Sequence, residues 1–356
     1  MRHTLGVLSL FALAGLAGAV AFPHQQQAAP PPTPPPAGQA LDQSTGQRPG
    51  VKQRVAEVDM LLSVVNRKQK FIVDLEQKDF RLLEDNHEQE IKFFSRQIDL
   101  PLRLGLLMDT SNSIRPRLQF EKEAATNFVS NTLRKDRDQM FIMTFDSTPE
   151  VVMNYTNDAE KLRNTIDAQH AGGGTALYDA MMKASDMLAN APPPKSGAPE
   201  VHRVLVIISD GDDNLSSHTK SDVIDALGRA GVEVYTISTS IEWITPEESN
   251  DPSKKFDRKW GYTDGDLILQ QFAQETGGRP FFPYHVDDVL QDFEDIGVEL
   301  RSQYLVGYVP ANGLTDGKFR KVKIEIPGHK ELEVRSRKGY YAVAPSAGVS
   351  VSPTGN

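Results

Sequence analysis

Residues 102–113 read LRLGLLMDTSNS, an apolar run that leads directly into a D-x-S-x-S motif. A short apolar run of this kind is typical of a buried strand. The motif places the carboxylate of Asp109 and the hydroxyls of Ser111 and Ser113 at the end of that strand. Such oxygens suit a hard divalent cation such as Mg²⁺, but Asp and Ser also commonly cap helices. The motif alone therefore leaves both interpretations open.

The strand before the motif is the first of a series that alternates with helices. Further apolar strand candidates lie at residues 139–146, 201–210, 232–240 and 279–284. Helical patterns lie at residues 117–134, 159–169, 176–190, 220–230, 266–276 and 286–301. This alternation predicts an α/β fold with a doubly wound, mainly parallel, Rossmann-like sheet. Ligands of such sheets bind beyond the carboxyl ends of the strands.

Two more oxygen-bearing residues fall at the same predicted edge of the sheet. Asp210 directly follows an apolar strand, and Thr175 follows the glycines at 172–174, just before a helix. Glycines let the backbone and a neighbouring hydroxyl approach a ligand closely. Each residue alone is readily explained as a helix cap or a turn residue. Their joint placement predicts a metal site in which two carboxylates, three hydroxyls and waters form an octahedron around the cation. The predicted protein ligands are Asp109, Ser111, Ser113, Thr175 and Asp210.

Shorter β-like segments flank the α/β region on both sides. Apolar and polar residues alternate around Phe71 and Val73 before it, and around Val322 and Ile324 after it. Such alternation indicates strands with one buried face. Neither group is long enough to bury a good core alone. We therefore expect residues 53–99 and 303–343 to form the halves of a smaller β-sandwich-like domain, with residues 100–302 inserted between them.

The N-terminus has the features of an export signal. Arg2 and His3 precede an apolar run that contains small residues suited to cleavage. We expect a signal peptide at residues 1–21 and an exported protein, periplasmic or extracellular, with an uncleaved membrane anchor as the alternative. Residues 22–52, rich in Pro and Gln, predict a disordered linker that acts as a polyproline-like spacer or simply as an unstructured leader. Residues 344–356 are predicted to be a disordered tail, and no membrane span is expected in the mature chain.

Charge and cysteine content exclude several functions. The 356-residue chain has a formal net charge of −9, which argues against a nucleic-acid-binding protein, because such proteins present a basic face. It contains no cysteine, so disulfides, thiolate catalysis and Cys-ligated zinc are excluded. The G-x-S-x-G, H-E-x-x-H and phosphate-loop motifs are also missing from the sequence. The sequence thus favours a binding protein over an enzyme, with metal-assisted hydrolysis as the remaining catalytic alternative.

The predicted metal site resembles that of the von Willebrand factor type A (VWA) domain, the metal-ion-dependent adhesion site. The D-x-S-x-S motif, the loop threonine and the second aspartate of that site match residues 109–113, Thr175 and Asp210. The flanking segments around residues 80–85 and 338–341 resemble bacterial secreted VWFA-related proteins of acidobacterial type. The resemblance implies a VWA-like domain that binds Mg²⁺, with Mn²⁺ or Ca²⁺ as alternatives. It also implies an open metal position that accepts an Asp or Glu of a protein partner.

The role implied by the resemblance is adhesion or envelope assembly through a protein ligand. A scaffold whose metal only stabilises the fold is the alternative. Asp212 and Asp213 add negative charge next to Asp210. These two residues could tighten metal binding, weaken the binding of an acidic partner, or simply form a solvated turn.

A long loop at residues 241–264 contains both tryptophans of the chain, Trp243 and Trp260, together with Tyr262. The loop follows a predicted strand and so emerges at the same edge as the metal site. Loops of this length are often functional, and aromatic anchors are enriched in binding hot spots. We expect the three aromatic residues to contribute to partner binding, or alternatively to pack the loop against the domain.

Overall fold

The computed structural model describes residues 57–96, 100–194, 201–240, 263–283, 286–312 and 316–342. The predicted signal peptide, linker and tail lie outside these residues, as do Trp243, Trp260 and Tyr262. Within the described ranges, no helix is both long enough and apolar enough to cross a membrane.

Strands and helices follow the alternation seen in the sequence. The strands of the described chain are β1 (Val58–Asn66), β2 (Arg81–Glu84), β3 (His87–Gln89), β4 (Ile91–Arg96), β5 (Leu102–Asp109), β6 (Gln139–Phe145), β7 (Pro149–Thr156), β8 (His202–Ser209), β9 (Val232–Ser238), β10 (Pro280–Phe281), β11 (Tyr304–Tyr308), β12 (Phe319–Glu325), β13 (Leu332–Ser336) and β14 (Gly339–Tyr341). The α-helices are α1 (Leu118–Thr132), α2 (Ala159–Asp167), α3 (Leu177–Ala189), α4 (Lys220–Ala230), α5 (Asp264–Thr276) and α6 (Val286–Glu299).

The central sheet has six strands in the order β10-β9-β8-β5-β6-β7. All neighbouring pairs are parallel except β6 and β7. β5, which precedes the D-x-S-x-S motif, lies between β8 and β6, and every residue of β5 is buried. This sheet confirms the predicted α/β fold.

Three helices cover each face of the central sheet. Helices α1, α2 and α6 pack on one face in an apolar core that includes Phe128. Helices α3, α4 and α5 cover the opposite face, where Phe272 belongs to a second core. Because successive side chains of a strand point to opposite faces, β5 contributes Leu106 to the first core and Leu107 to the second. The sheet is therefore doubly wound, as predicted.

Two antiparallel four-stranded sheets form the rest of the described chain. Their strand orders are β13-β1-β11-β4 and β14-β12-β2-β3, so each combines strands from before and after the central α/β region. The two sheets enclose one apolar core, to which Leu62 and Val306 contribute from the first sheet and Leu82 and Ile324 from the second. The chain thus leaves a β-sandwich after β4 and returns to it at β11.

Two strands of the central sheet differ from the sequence prediction. The prediction missed β7, because its apolar residues are consecutive and mostly half-buried, so that no period-two alternation is visible. The last strand was predicted at 279–284, but β10 contains only two residues. Prolines at positions 280 and 283 leave few amides to pair there.

Candidate metal centre

The carboxyl ends of two adjacent strands bring the predicted carboxylate ligands to one place. β5 and β8 run parallel, with Met108 opposite Ile208. Asp109 ends β5, and Asp210 follows the last residue of β8. Both carboxylates therefore lie at the edge of the sheet where parallel sheets bind ligands.

Hydrogen bonds link four of the predicted ligands in one continuous chain. The backbone amide of Ser111 donates to Asp109 Oδ1 over 2.8 Å. The hydroxyl of Ser111 lies 2.9 Å from the hydroxyl of Ser113. Ser113 Oγ in turn donates to Asp210 Oδ2 over 2.9 Å. The side-chain oxygens of the two loops therefore converge to within hydrogen-bond distance of one another.

The second carboxylate oxygen of Asp109 is held by Ser209, a residue that the sequence analysis missed. The Ser209 hydroxyl donates to Asp109 Oδ2 over 2.8 Å and accepts a hydrogen bond from the Gly211 amide over 3.1 Å. Ser209 is fully buried at the end of β8. Its only signal in the sequence is its position immediately before Asp210. Because both oxygens of Asp109 have a donor, the orientation of this carboxylate is fixed.

Asp109 and Ser113 lie in contrasting environments. The Asp109 side chain is 0% exposed, and this burial raises its pKa to about 6. The hydrogen bonds from Ser111 and Ser209 oppose that increase, whereas the negative charge of Asp210 adds to it. Ser113, by contrast, is exposed to solvent. Solvent therefore reaches the candidate centre on the side of Ser113 but not on the side of Asp109.

Thr175 lies on a neighbouring loop that contacts the motif through its backbone. The amide of Gly172 in this loop donates to the Thr110 carbonyl over 2.7 Å. Thr175 is buried, and its amide donates to Asn214 Oδ1 over 3.0 Å. Among the described residues, its hydroxyl makes no hydrogen bond to the other four predicted ligands. Asn214 was missed by the sequence analysis, and nothing in the sequence marks it as a partner of Thr175.

Two glycines allow the Asp210 loop to pack tightly against the first turn of α5. Gly211 has a left-handed φ of +81°, and a Cβ placed on it would lie 2.3 Å from the carbonyl oxygen of Gly265. A Cβ placed on Gly265 would lie 2.1 Å from the carbonyl oxygen of Asp210. A side chain at either position would therefore displace the backbone. The position of Asp210 thus depends on α5 as well as on β8.

Negative charge accumulates around Asp210. Burial raises the pKa of Asp212, and the neighbouring carboxylates of Asp210, Asp264 and Asp266 raise it further. Asp213 instead binds the start of α3, where its Oδ1 accepts a hydrogen bond from the Tyr178 amide over 3.2 Å. Asp212 therefore adds to a local field that attracts cations, whereas Asp213 acts as a loop anchor.

The donor set fits a hard divalent cation. In the described part of the chain, no group of three or more His, Cys, Asp or Glu side chains is placed to hold a metal. A cation at this edge would therefore depend on serine and threonine hydroxyls in addition to Asp109 and Asp210. Oxygen-only donors of this kind are typical of Mg²⁺, Mn²⁺ and Ca²⁺ sites.

Several solved structures are similar to this chain at low sequence identity. An aerotolerance-related membrane protein from Bacteroides fragilis has 20% identity and a TM-score of 0.42, covering 56% of this chain and 98% of its own. The conserved hypothetical protein BatB from Bacteroides thetaiotaomicron has 16% identity and a TM-score of 0.39, covering 55% of this chain and 99% of its own. Proximal thread matrix protein 1 from the mussel byssus, with a zinc-occupied MIDAS motif, has 17% identity and a TM-score of 0.42. That match covers 58% of this chain and 47% of the mussel protein.

Sequence comparison gives a more local result. No curated protein matches the chain. One family model matches a stretch that begins within β5, ends just after β8 and contains all the predicted metal ligands. That family is the von Willebrand factor type A domain, and the match covers residues 104–212.

Proposed function

We propose that this chain is a protein-binding module that holds a divalent cation and uses it to bind a carboxylate of a protein partner. The observation that supports this proposal is the chain of hydrogen bonds from Asp109 through Ser111 and Ser113 to Asp210. The proposed cation is Mg²⁺, with Mn²⁺ or Ca²⁺ as alternatives. The proposed ligands are Asp109, Ser111, Ser113, Thr175 and Asp210.

The chemistry of these ligands suits the capture of an acidic group. A bound divalent cation supplies a positive charge that attracts a carboxylate. Serine and threonine hydroxyls are neutral ligands, so they leave more of that charge available than additional carboxylates would. Asp109 is buried whereas Ser113 is exposed. The partner is therefore expected to approach on the side of Ser113.

The finer parts of the proposal depend on the resemblance to the metal-ion-dependent adhesion site of VWA domains and to secreted bacterial VWFA-related proteins. On that basis we propose that the protein is exported and that its partner presents an Asp or Glu side chain. The role would be adhesion or envelope assembly. Trp243, Trp260 and Tyr262 are proposed to contribute to the choice of partner.

Calorimetric titration of Mg²⁺ into chelator-treated protein tests the cation site. We expect the wild type to bind Mg²⁺, and Asp109→Ala and Asp210→Ala to abolish binding, because each variant removes a charged ligand. Asp186→Ala is the matched control, since Asp186 is an exposed acid on α3 and its loss leaves binding unchanged. A wild-type protein that binds none of Mg²⁺, Mn²⁺ and Ca²⁺ would overturn the proposal.

A pull-down of a partner from envelope extract distinguishes a cation that binds the partner from a cation that only stabilises the fold. We expect a partner to be retained in Mg²⁺ and lost in EDTA, and Asp109→Ala to lose it in both. If Asp109→Ala keeps the partner and only melts at a lower temperature, the cation is structural and the chain is a scaffold. Turnover of a substrate that requires the divalent cation would instead indicate an enzyme.

A further inference from the structure

We propose that two exposed side chains beside the candidate centre, Arg115 and Leu215, select the residues that neighbour the cation-binding carboxylate in the partner. The partner segment is then short and acidic, with an apolar side chain that contacts Leu215 and a second acidic side chain that pairs with Arg115. The inference rests on the proposed function, because it requires a cation that binds the first carboxylate.

Leu215 is held against the loop that carries Thr175. Its amide donates to the Thr175 carbonyl over 3.1 Å, as the amide of Asn214 does over 3.0 Å. Its side chain packs on Gly174, because a Cβ placed on Gly174 would lie 2.6 Å from Leu215 Cδ1. Gly174 and Thr175 are consecutive, with Cα atoms about 3.8 Å apart. Leu215 therefore lies beside a proposed cation ligand.

The Leu215 side chain is 52% exposed, although its position is fixed. It is the only hydrophobic side chain in residues 210–219, which read DGDDNLSSHT. Single exposed apolar side chains are common on protein surfaces, so exposure alone does not indicate a binding site. Leu215 differs in being held where a partner would reach the cation. Contact with an apolar side chain there removes surface from water at little cost in ordering.

Arg115 contacts the start of the same loop. Its Nη2 donates to Asn112 Oδ1 over 3.0 Å and to the Ala171 carbonyl over 3.3 Å. Arg115 is exposed, two residues after Ser113, and its other guanidinium N–H groups make no hydrogen bond within the described part of the chain. Ala171 and Gly174 are three positions apart in the sequence, which is at most ~11 Å. An extended segment of about four or five residues can therefore contact both Arg115 and Leu215.

The charges around the centre favour one orientation of an acidic partner. Arg115 is a cation on the side of Ser113. On the side of Asp210, the carboxylates of Asp212 and Asp264 are exposed and close enough to repel each other. Because charge complementarity orients partners and like charges oppose binding, a second acid of the partner is expected toward Arg115.

Selection from a random heptapeptide library displayed on phage tests the inference. The full chain is loaded with Mg²⁺, and bound phage are released with EDTA so that only cation-dependent peptides are recovered. We expect the wild type to recover peptides that combine an Asp or Glu with an apolar residue and a second acid. Leu215→Ser should lose the preference for the apolar residue, and Arg115→Gln the preference for the second acid. Val298→Ser is the matched control, since Val298 is a 53% exposed apolar side chain on α6.

Synthetic versions of the recovered peptides measure the size of each effect. Replacing the apolar residue of a peptide with Gly should weaken its binding to the wild type by roughly fivefold or more, because the contact with Leu215 is lost. The same replacement should change little for Leu215→Ser. Replacing the second acid with its amide should weaken binding to the wild type but not to Arg115→Gln.

The possible outcomes separate this inference from the proposed function. If the recovered peptides carry an acid but the wild type and both variants prefer the same neighbouring residues, the inference is overturned and the proposed function stands. If Leu215→Ser binds Mg²⁺ more weakly yet keeps the wild-type preference, Leu215 only holds the loop and the inference is again overturned. If no peptide depends on Mg²⁺, capture of a carboxylate fails and the inference fails with it.

Discussion

Gly265 determines where the backbone of Asp210 lies, although it is no ligand itself. Replacing it with Ala would place a Cβ 2.1 Å from the Asp210 carbonyl oxygen, so the Asp210 loop must move. We expect Gly265→Ala to destabilise the protein by ~1–3 kcal/mol, the usual range for overpacking a tight contact. We also expect its Mg²⁺ affinity to fall, because Asp210, a proposed ligand, lies in this loop. Calorimetry and chemical denaturation measure the two effects.

A second glycine provides the control for that substitution. A Cβ on Gly172 would meet no atom within 4 Å, although Gly172 lies in the glycine-rich loop beside the centre. Gly172→Ala is therefore expected to leave both stability and Mg²⁺ affinity near those of the wild type. If Gly265→Ala also left them unchanged, close packing between α5 and the Asp210 loop would not be what positions Asp210.

The sequence reveals some residues of the centre and hides others for a physical reason. Asp109 and Asp210 are recognisable because each follows an apolar strand, and the ends of parallel strands meet at one edge. Ser209 is not recognisable in this way, because it looks like the last residue of a strand. Only the packed structure shows that Ser209 is buried and that its hydroxyl donates to Asp109 Oδ2.

Among the helices and strands, the start of α5 is bound to the end of β9 by one carboxylate. Asp266 is buried and accepts hydrogen bonds from the hydroxyls of Ser238 and Ser240. Its other oxygen accepts from the Thr263 amide over 3.0 Å, while the Thr263 hydroxyl accepts from the Asp266 amide over 3.0 Å. This reciprocal pair is a capping box. Asp266 therefore both begins the helix and docks it onto the sheet.

Asp266→Ala should destabilise the protein more than loss of a helix cap alone. We expect a loss of ~2–4 kcal/mol, because a cap contributes ~1 kcal/mol and a buried hydroxyl left without its partner adds ~1–3 kcal/mol. Guanidinium denaturation measures the change. Asp264→Ala is the control, since Asp264 is exposed in the same turn and should shift stability by less than ~0.5 kcal/mol. Equal effects of the two variants would contradict this role for Asp266.

The interior strands of the central sheet could be predicted from the sequence, whereas one of its edge strands was missed and the other was predicted too long. β5 was predicted with the bounds that the structure shows, because a strand buried on both faces is a continuous apolar run. β7 was missed because an antiparallel strand at the edge of a parallel sheet is only half-buried and breaks the expected alternation of strand and helix. Pairing between distant segments, such as β1 with β11 and β13, has no local signal in the chain.

For the molecule as a whole, stability depends on pH through Glu299, which lies where the α/β region meets the sandwich. Glu299 ends α6 and is fully buried; burial raises its pKa from 4.5 to about 7. Arg335 of β13, whose Nη1 lies 3.7 Å from Glu299 Oε1, offsets only part of this increase. Glu233 acts in the opposite sense and raises the pKa further.

A group whose pKa is raised by folding stabilises the folded state only while it is protonated. We therefore expect the Glu299 contribution to be intact below about pH 4.5 and lost as pH rises to about 7. At pH 8, Glu299→Gln should be more stable than the wild type by on the order of 2 kcal/mol, and at pH 4 the two should be nearly equal. Denaturation in EDTA at both pH values measures this difference. Asp292, whose pKa is also raised to about 7, is present in both proteins and cancels in the comparison.

The interleaving of early and late strands in the sandwich has a consequence for how the protein is made. Val58 lies opposite Tyr308, and Asn66 lies opposite Leu332, so β1 leaves the ribosome long before either of its neighbours. The α/β region, which lies between them, can complete its own sheet while β1, β2 and β4 still lack their partners from the end of the chain. Those strands keep apolar surface exposed in the nascent chain, where it is open to chaperones or to aggregation. Synthesis of β11 to β14 is therefore the step that completes the sandwich and buries this apolar surface.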